Sequence, residues 1–414
     1  MAASIALADP PSPMREDLVA YRAVGGYEGL KAALIRGGAS VLAAIEDSGL
    51  RGHGGAAFPA GRKWRLAAER AATCRHVVAN GGEHEPGSEK DKHLVERHPH
   101  RVLEGMLLCG LATGATRGWL YLIEDMAPQI ASAERAIAEA RAAGLLGGTI
   151  LGSEFAFDVA IHRAPPTYVA GEETAAIDSI EGGPGKPRKK PPYPGEYGLR
   201  GEPTTVNNVE TLTHVPWIVR HGAGAYRAIG TRESPGTMLV TLPAELRRPG
   251  VVEIPFGTSW RTLIEQHGGG VRDGRRIRAI HPALSCGFLA GKHLDVGIAH
   301  ETLRPLGTAP GCGGLRLVLD GDDVLARLLE IARFFMKEQC GQCPPCRMET
   351  NQFAHVLGAL QAGKGGNFAD PIRKVADFAR KKGFCSLIEM AAAPILSALD
   401  LFGDELGTAS SASG

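Results

Sequence analysis

The chain has little charge imbalance, few aromatic residues and no long apolar run. Its 46 Lys and Arg nearly balance 45 Asp and Glu, so electrostatics give no reason to expect a nucleic acid or an anionic membrane as partner. The longest apolar run, 106–115 (MLLCGLATGA), is far shorter than the ~20 residues of a membrane-spanning helix. The N-terminal segment has no basic start ahead of an apolar stretch, so no secretory signal is expected.

Cysteine is also sparse, with 8 in 414 residues, too few for a disulfide scaffold. This favours a reducing cytoplasm, with a place at the periphery of a membrane complex also compatible. Four cysteines stand singly in apolar or glycine-rich surroundings, where buried unreactive thiols are expected: Cys74, Cys109, Cys286 and Cys312.

The order of predicted elements changes along the chain. Short apolar strands at 75–80, 118–125 and 155–164 are separated by helical segments, which predicts a mostly parallel α/β sheet with its ligands beyond the carboxyl ends of the strands. From about 235, a ββαβ order predicts a small β-grasp-like domain. After 320, an apolar stripe at helical spacing predicts helices.

The remaining four cysteines form a motif. Cys340, Cys343 and Cys346 are spaced C-x2-C-x2-C, and Cys385 follows 39 residues later. Zinc usually takes two separated pairs, whereas a triplet with a remote fourth thiolate is typical of a cubane cluster. The spacing therefore favours a [4Fe–4S] cluster. A zinc site completed by His355 and a redox-active or structural thiol group are the alternatives.

Five polar or glycine-rich loops in the first half are candidates for a nucleotide site: 51–64 (RGHGGAAFPAGRKW), 80–91, 168–182, 186–198 and 203–211. Backbone N–H groups freed by glycines can hold a phosphate, and lysines nearby add positive charge. Each loop alone also fits a plain turn, a helix cap or a solvated surface loop.

Taken in order, these segments resemble a known family. They include YRAVGGYEGLKAAL, RGHGGAAFPAGRKW, EHEPGSEKDKHLVERHPHRVLEGM, YVAGEETAAIDSIEG, KPPYP, PTTVNNVETLTHVP, CGQCPPCR and FCSLIE, and span roughly residues 20–400. The family is the flavin-bearing, NADH-oxidising subunit of respiratory complex I. It also includes the diaphorase subunits of NAD-reducing hydrogenases and of NAD-dependent formate dehydrogenases.

The resemblance implies an α/β fold in three domains. A Rossmann-like FMN domain would occupy 21–232, a β-grasp (ubiquitin-like) domain 233–318 and a helical [4Fe–4S] domain 319–405. A flexible N-terminus, 1–20, and a disordered tail, 406–414, would flank them.

By motif position, the resemblance also implies three sets of site residues. The FMN set is Gly52, Gly54, Gly55, Lys63, Asn80, Glu83, Gly171, Glu172, Glu173, Asn207 and Asn208. The NADH set is Phe58, Glu85, Glu173, Lys190 and Tyr193. The cluster set is Cys340, Cys343, Cys346 and Cys385. No side chain is expected to act as an acid or base, because the flavin carries the chemistry.

Some positions depart from the family pattern. Asn80-Gly81-Gly82-Glu83 stands where the family has Asn-Ala-Asp-Glu, so an acid near the flavin is missing and a more flexible loop is expected. The other departures are Ala57 for glycine, His53 for arginine, and Leu66 and Tyr193 for phenylalanines.

The expected function is an electron-input (diaphorase) subunit of a multi-subunit oxidoreductase. NADH would reduce FMN, and single electrons would pass through the [4Fe–4S] cluster to a partner. That partner would be a thioredoxin-like [2Fe–2S] or a ferredoxin-like protein within a larger redox complex, with no membrane span in this chain. The alternative is a subunit of the same fold that binds FMN or the cluster but has lost NADH oxidation.

Overall fold

The computed structural model describes residues 4–7, 15–364 and 366–409. A parallel four-stranded sheet with helices comes first, a small antiparallel region follows, and a helical region comes last. This order confirms the predicted α/β class at that level. Within the described residues, none of the helices combines the length and apolar content that a membrane crossing requires.

The first region contains the parallel sheet. Its strands are β1 (His76–Asn80), β2 (Arg117–Ile123), β3 (Asp158–Ala164) and β4 (Thr204–Asn208). Its helices are α1 (Leu18–Ala23), α2 (Glu28–Arg36), α3 (Gly38–Ser48), α4 (Ala60–Glu69), α5 (Lys90–Arg97), α6 (Pro99–Thr113), α7 (Ala127–Ala142), α8 (Glu173–Ile180), α9 (Val209–His221) and α10 (Ala223–Arg227).

The sheet order is β3-β2-β1-β4, with all pairs parallel. β1 is a central strand, and its residues Val77, Val78 and Ala79 are fully buried. Val77 and Ala79 belong to the core that also holds α6 and α7, whereas Val78 packs with Ile177 of α8 on the opposite face. The order in which strands are added therefore reverses at β1: β2 and β3 lie on one side of it and β4 on the other. The carboxyl ends of β1 and β4 flank the crevice where such sheets bind ligands.

Two elements differ from the sequence-based expectation. The apolar pattern of 95–111 predicts a helical segment, but the structure divides the chain there into two helices, α5 and α6, because Pro99 disfavours the helical conformation at His98. β4 was not predicted, since TTVNN has a polar sequence. It pairs in register with β1, so its strand conformation comes from tertiary pairing.

The middle region is antiparallel within each of two small sheets. The strands are β5 (Thr237–Leu242), β6 (Gly250–Pro255), β7 (Ile277–His281), β8 (Leu289–Ala290) and β9 (Arg316–Leu319). The helices are α11 (Trp260–Thr262), continued by a π-turn at Leu263–His267, and α12 (His300–Leu303). Trp260, Leu263 and Ile264 pack against Val240 and Leu317 to form its core.

In the described part of the last region, residues 320–364 and 366–409, there are four α-helices: α13 (Val324–Glu338), α14 (Pro344–Gln361), α15 (Ala369–Ala379) and α16 (Leu387–Ala409). The predicted apolar stripe of α13 is buried at Leu328, Ala332 and Phe335. α16 extends into the expected tail because Leu406 packs into the helical core, so the tail prediction was wrong for that part. Residues 410–414, the rest of that tail, lie outside the described residues.

The described N-terminal residues are anchored. Three successive backbone N–H groups, those of Ile5, Ala6 and Leu7, donate to the carboxylate of Glu253 on β6 at 2.9–3.0 Å. The Ser4 hydroxyl also donates to it, at 2.8 Å. The flexibility expected for 1–20 therefore does not hold at residues 4–7, while 1–3 and 8–14 lie outside the described residues.

We expect Glu253→Gln to lower the free energy of unfolding by about 1–3 kcal/mol, because an amide nitrogen cannot accept these hydrogen bonds and leaves buried donors unpaired. Urea denaturation midpoints measure this effect. Glu265→Gln, at an exposed helical ion pair with Arg261, is the matched control and should change little. Equal midpoints for the two variants would contradict the anchoring role.

Candidate functional site

The loop before α4 carries the first group of glycines. Arg51 and Pro59 pair across its base, and the Gly52 N–H donates to the Phe58 carbonyl at 2.9 Å. Gly54 and Gly55 at its tip are exposed. A Cβ built on Gly54 would lie 3.4 Å from Asn208 Cβ, so the loop tip stands beside the end of β4. Its open backbone fits a ligand that approaches closely.

Ala57 in the same loop has φ +52°, the left-handed conformation that favours glycine. The departure from the family pattern therefore adds backbone strain as well as a methyl group.

Two lysines and two glutamates meet beside this loop. Lys190 Nζ lies 2.7 Å from Glu172 Oε1 and 3.0 Å from Glu173 Oε1, and Lys63 Nζ lies 3.3 Å from Glu173 Oε2. Burial alone would raise the pKa of Glu173, but the charges of Lys63 and Lys190 lower it overall. Glu172 also caps α8, accepting the N–H of Thr174 at 2.7 Å. These predicted site residues come from three separate segments and form one charged cluster.

Two asparagines lie at the carboxyl ends of neighbouring strands. Asn80 of β1 aligns with Asn208 of β4 and donates from Nδ2 to the Gly171 carbonyl at 2.8 Å. Asn208 caps α9 by accepting the Glu210 N–H at 3.0 Å. Asn207 does not share that place, because strand alternation turns its side chain to the other face of the sheet, where it accepts from Trp64 Nε1 at 3.2 Å.

A buried charge network lies under the crevice and was not predicted. Lys90 Nζ, at the start of α5, lies 2.7 Å from Asp91 Oδ1 and 2.8 Å from Glu210 Oε2. It also donates to Asn208 Oδ1 at 3.2 Å. Burial, followed by the charge of Asp91, raises the pKa of Glu83 to about 7, and burial raises the pKa of Glu210 to about 7. No spacing in the sequence indicates that these residues meet.

Glu85, expected at the nicotinamide nucleotide, connects two regions. Its carboxylate accepts the Tyr168 hydroxyl at 2.8 Å and both the N–H and the hydroxyl of Ser285, at 3.1 and 3.0 Å. Tyr168 and Ser285 were missed: Tyr168 opens the 168–182 motif but received no role, and Ser285 lies outside the quoted motifs. Phe58 and Tyr193 have exposed rings, 41% and 53% accessible.

The loop at Gly81-Gly82 is more confined than expected. A Cβ on Gly81 would lie 2.9 Å from the Leu122 side chain, and one on Gly82 would lie 2.7 Å from His84 Nε2. The His84 ring also abuts Gly171, where a Cβ would lie 2.9 Å from its Cδ2. Burial lowers the pKa of His84 to about 4, so a neutral ring lies beside the position where the family has an acid.

The four motif cysteines line one cavity at the start of α14 and α16. The other lining residues are Val169, Pro187, Gln339, Gly341, Gly383, Phe384 and Leu387. The Phe384 N–H donates to Cys343 Sγ at 3.3 Å. His355, the alternative zinc ligand, is exposed on α14 and does not line this cavity.

The cavity fits an iron–sulfur cluster by its donor set. Burial, and then the neighbouring thiols, raises the pKa of Cys346 to about 12, and burial raises that of Cys385 to about 11. Thiols in such surroundings become thiolates when a metal centre coordinates them. Four sulfurs with apolar walls and a backbone N–H aimed at one sulfur are what such a cluster requires.

The segment Tyr168–Gly171 connects the two sites. Val169 lines the cysteine cavity, and two residues later the Gly171 carbonyl accepts from Asn80 at the sheet edge. The Tyr168 N–H donates to Glu338 Oε2 at the end of α13, at 2.9 Å. The crevice and the cysteine cavity are thus adjacent.

Comparisons with known proteins agree with this geometry. Residues 45–217 match a family described as the Nuo51 FMN-binding domain, and residues 326–409 match the NADH-ubiquinone oxidoreductase-F iron-sulfur binding region. The NADP-reducing hydrogenase subunit HndC of Solidesulfovibrio fructosivorans is 38% identical over 94% of this chain and 80% of its own length. An NADH-quinone oxidoreductase subunit of Escherichia coli is 37% identical over 93% of this chain and 88% of its own length.

A solved structure also matches over nearly the whole chain. It is that of an NAD+-reducing [NiFe]-hydrogenase in the H2-reduced state, with a TM-score of 0.83 and 30% identity. The match covers 99% of this chain and 68% of the hydrogenase chain.

We expect Lys90→Met to lower the free energy of unfolding by about 3–5 kcal/mol at pH 8, because it leaves buried carboxylates without their cation. The deficit should shrink toward pH 6, since protonation of Glu83 and Glu210 removes the unpaired charge. Lys92→Met removes a half-exposed pair between another α5 lysine and Glu89, the residue before the helix, and should cost less than about 1 kcal/mol. Urea denaturation midpoints at pH 8 and pH 6 measure the loss of stability. A loss that is equal at both pH values would contradict the role given to the charge of Lys90.

Ala57→Gly should raise the free energy of unfolding by about 1 kcal/mol, since glycine adopts a positive φ without steric cost. Ala56→Gly is the control, because Ala56 is not among the described residues with positive φ and glycine there only adds freedom to the unfolded chain. Urea midpoints that fall equally in both variants would show that Ala57 is not strained.

Proposed function

The chain belongs to the Nuo51 family of NADH dehydrogenase subunits, and on that premise we propose which of its residues carry each part of the activity. It is an oxidoreductase subunit of the kind found in complex I or in an NAD-linked hydrogenase, which oxidises NADH and has an FMN-binding domain and a [4Fe–4S] region. When bound, FMN takes a hydride from NADH and releases its electrons singly, which suits a one-electron iron–sulfur cluster.

The observation that carries the assignment is the segment Tyr168–Gly171, which touches both the sheet-edge crevice and the cysteine cavity. A flavin held at the crevice and a cluster held by the four thiols would then be neighbours. Electron transfer between them would need no movement of the chain. The two sites also lie in two separately matched regions, 45–217 and 326–409.

For FMN, we assign the phosphate to the glycine loop. The exposed backbone of Gly54 and Gly55 gives close access, and Lys63 supplies positive charge. Gly52 would shape the loop from its base, where its N–H donates to the Phe58 carbonyl. The remaining FMN residues would surround the ring and its side chain: Asn80, Glu83, Gly171, Glu172, Glu173, Asn207 and Asn208. Asn207 would contribute through its backbone, because its side chain is held by Trp64.

For NADH, we assign the exposed aromatic rings and the charged cluster. Phe58 and Tyr193 offer apolar faces for a base or a nicotinamide ring. Glu173, held between two lysines, stays ionised and is placed to accept ribose hydroxyls, and Lys190 fixes its orientation. Glu85 would fix the far side of the site through Tyr168 and Ser285.

For the cluster, we assign Cys340, Cys343, Cys346 and Cys385 as the four ligands. They converge on one cavity although Cys385 lies on a separate segment. Cys343 is also the residue that immediately precedes α14, so the helix start and the ligand are positioned together.

We also propose the finer fold and its limits. The first region would be a Rossmann-like FMN domain (21–232), and the last a helical cluster domain (319–405). The middle region (233–318) would be a β-grasp domain, a proposal supported by the parallel pairing of Thr241 of β5 with Gly314 beside β9. As partner we propose a thioredoxin-like [2Fe–2S] or ferredoxin-like subunit of a cytoplasmic complex, free or peripheral to a membrane.

Anaerobic titration with NADH tests the function. We expect NADH to bleach the flavin absorbance and then to produce the electron paramagnetic resonance signal of a reduced cluster. Cys385→Ser should abolish the cluster signal and lower the iron content, while NADH still bleaches the flavin. Cys74→Ser, a thiol outside the cavity, should keep both. Flavin that stays oxidised with NADH would support the alternative of a subunit that has lost NADH oxidation.

A parallel titration with NADPH separates the two nicotinamide nucleotides, because one relative is named as NADP-reducing. The negative charge of Glu173 should repel a 2′-phosphate, so NADH is expected to bleach the flavin faster. Equal rates would contradict that role for Glu173.

A further inference from the structure

Below the glycine loop, three buried side chains converge away from the crevice. His53 belongs to that loop, and Glu210 and His214 lie one turn apart on α9. One potential ligand atom from each lies within 4.8 Å of the others. His53 is 7% exposed, and His214 and Glu210 are almost fully buried.

Each imidazole makes one hydrogen bond and leaves its other nitrogen without a partner. His53 Nε2 lies 3.1 Å from the Thr237 carbonyl, which can only accept, so this nitrogen carries the proton and Nδ1 keeps a lone pair. His214 Nδ1 lies 3.0 Å from the Tyr226 hydroxyl. The remaining nitrogens, His53 Nδ1 and His214 Nε2, are buried and have no hydrogen-bond partner. The two rings are stacked, with their centroids 4.5 Å apart.

Both rings are neutral near pH 7 and available as ligands. Burial lowers the pKa of His53 to about 4 and that of His214 well below its usual value. Buried nitrogens without a partner cost free energy unless a donor or a cation meets them. Neutral imidazoles held by hydrogen bonds at the second nitrogen are the commonest zinc ligands.

Acids outnumber cations beside the pocket, although the positive charge of Lys90 also acts on both imidazoles. Asp91 and Glu210 contact the buried ammonium of Lys90, and Glu83 interacts with its charge without contacting it. Glu210 Oε1 also accepts the Leu239 N–H at 2.7 Å. Negative charge therefore exceeds positive charge within this network when all three acids are ionised. When Glu210 turns one oxygen toward the imidazoles, Lys90 still has a carboxylate partner, because its Nζ lies 2.7 Å from Asp91 Oδ1.

We propose that His53 Nδ1, His214 Nε2 and a carboxylate oxygen of Glu210 bind one divalent cation of the zinc class. Two imidazoles and a carboxylate are a donor set that zinc takes in proteins. Thr237 and Tyr226 orient the two rings from behind. The ion fastens the beginning of the glycine loop to α9 and to β5, and its role is structural. This site is separate from the four-cysteine cavity and contains no sulfur.

Metal analysis of the full chain tests the proposal. Protein without a histidine tag, expressed with added zinc, should hold about one zinc per chain in addition to its iron. His53→Asn and His214→Asn should each lower zinc retention at least about tenfold, with iron unchanged. His221→Asn is the matched control: an exposed histidine on the same helix, bonded only to the Trp217 carbonyl.

X-ray absorption at the zinc edge identifies the zinc ligands in the wild-type protein, without any variant. The expected shell is nitrogen and oxygen at about 2.0–2.1 Å with no sulfur at about 2.3 Å. A sulfur shell would place the zinc in the cysteine cavity and overturn the proposal. Two other results would also overturn the proposal. One is wild-type protein that retains no zinc, cobalt or manganese after dialysis against each metal. The other is zinc that is still bound in both histidine variants.

Discussion

The crevice depends on the buried ammonium of Lys90. It lies at the start of α5, the first helix after β1, and its partners Asn208 and Glu210 lie at the start of α9, directly after β4. These two helices begin side by side at the same sheet edge, and each brings a carboxylate to its first turn. Without a cation between them, Asp91 and Glu210 would repel at short range in a region that water does not reach. Lys90 therefore fixes the spacing of both loops that border the site.

A second constraint is the short link between the two halves of the electron path. One turn of chain, Tyr168–Gly171, contributes Val169 to the cysteine cavity and a carbonyl to Asn80. The backbone N–H of Tyr168 donates to the Glu338 carboxylate at the end of α13. Because this turn is bonded on both sides, the helical region cannot shift against the sheet without disturbing both sites. A rigid junction of this kind suits electron transfer, whose rate depends steeply on separation.

The sequence predicted the elements whose patterns are local. Three strands of the parallel sheet and the apolar face of α13 follow from periodicity, and the cysteine spacing identified the four residues that gather in the cavity. What it missed depends on contacts between distant segments. β4 is polar and becomes a strand only beside β1. The candidate site could likewise be predicted only in part. Glycine and glutamate motifs indicated its loops, but the direction of the Asn207 side chain could be known only once 204–208 was recognised as a strand. Tyr168 and Ser285 could be found only from the partner they share, Glu85.

Gly82, a departure from the family pattern, is linked to the neighbouring His84. A side chain at 82 would begin 2.7 Å from the His84 ring, and that ring also fills the space beside Gly171. The two positions are therefore epistatic: an acid can return at 82 only after His84 becomes small or turns away. Substitutions at 82 and 84 should therefore not be additive, because each changes the room that the other side chain has.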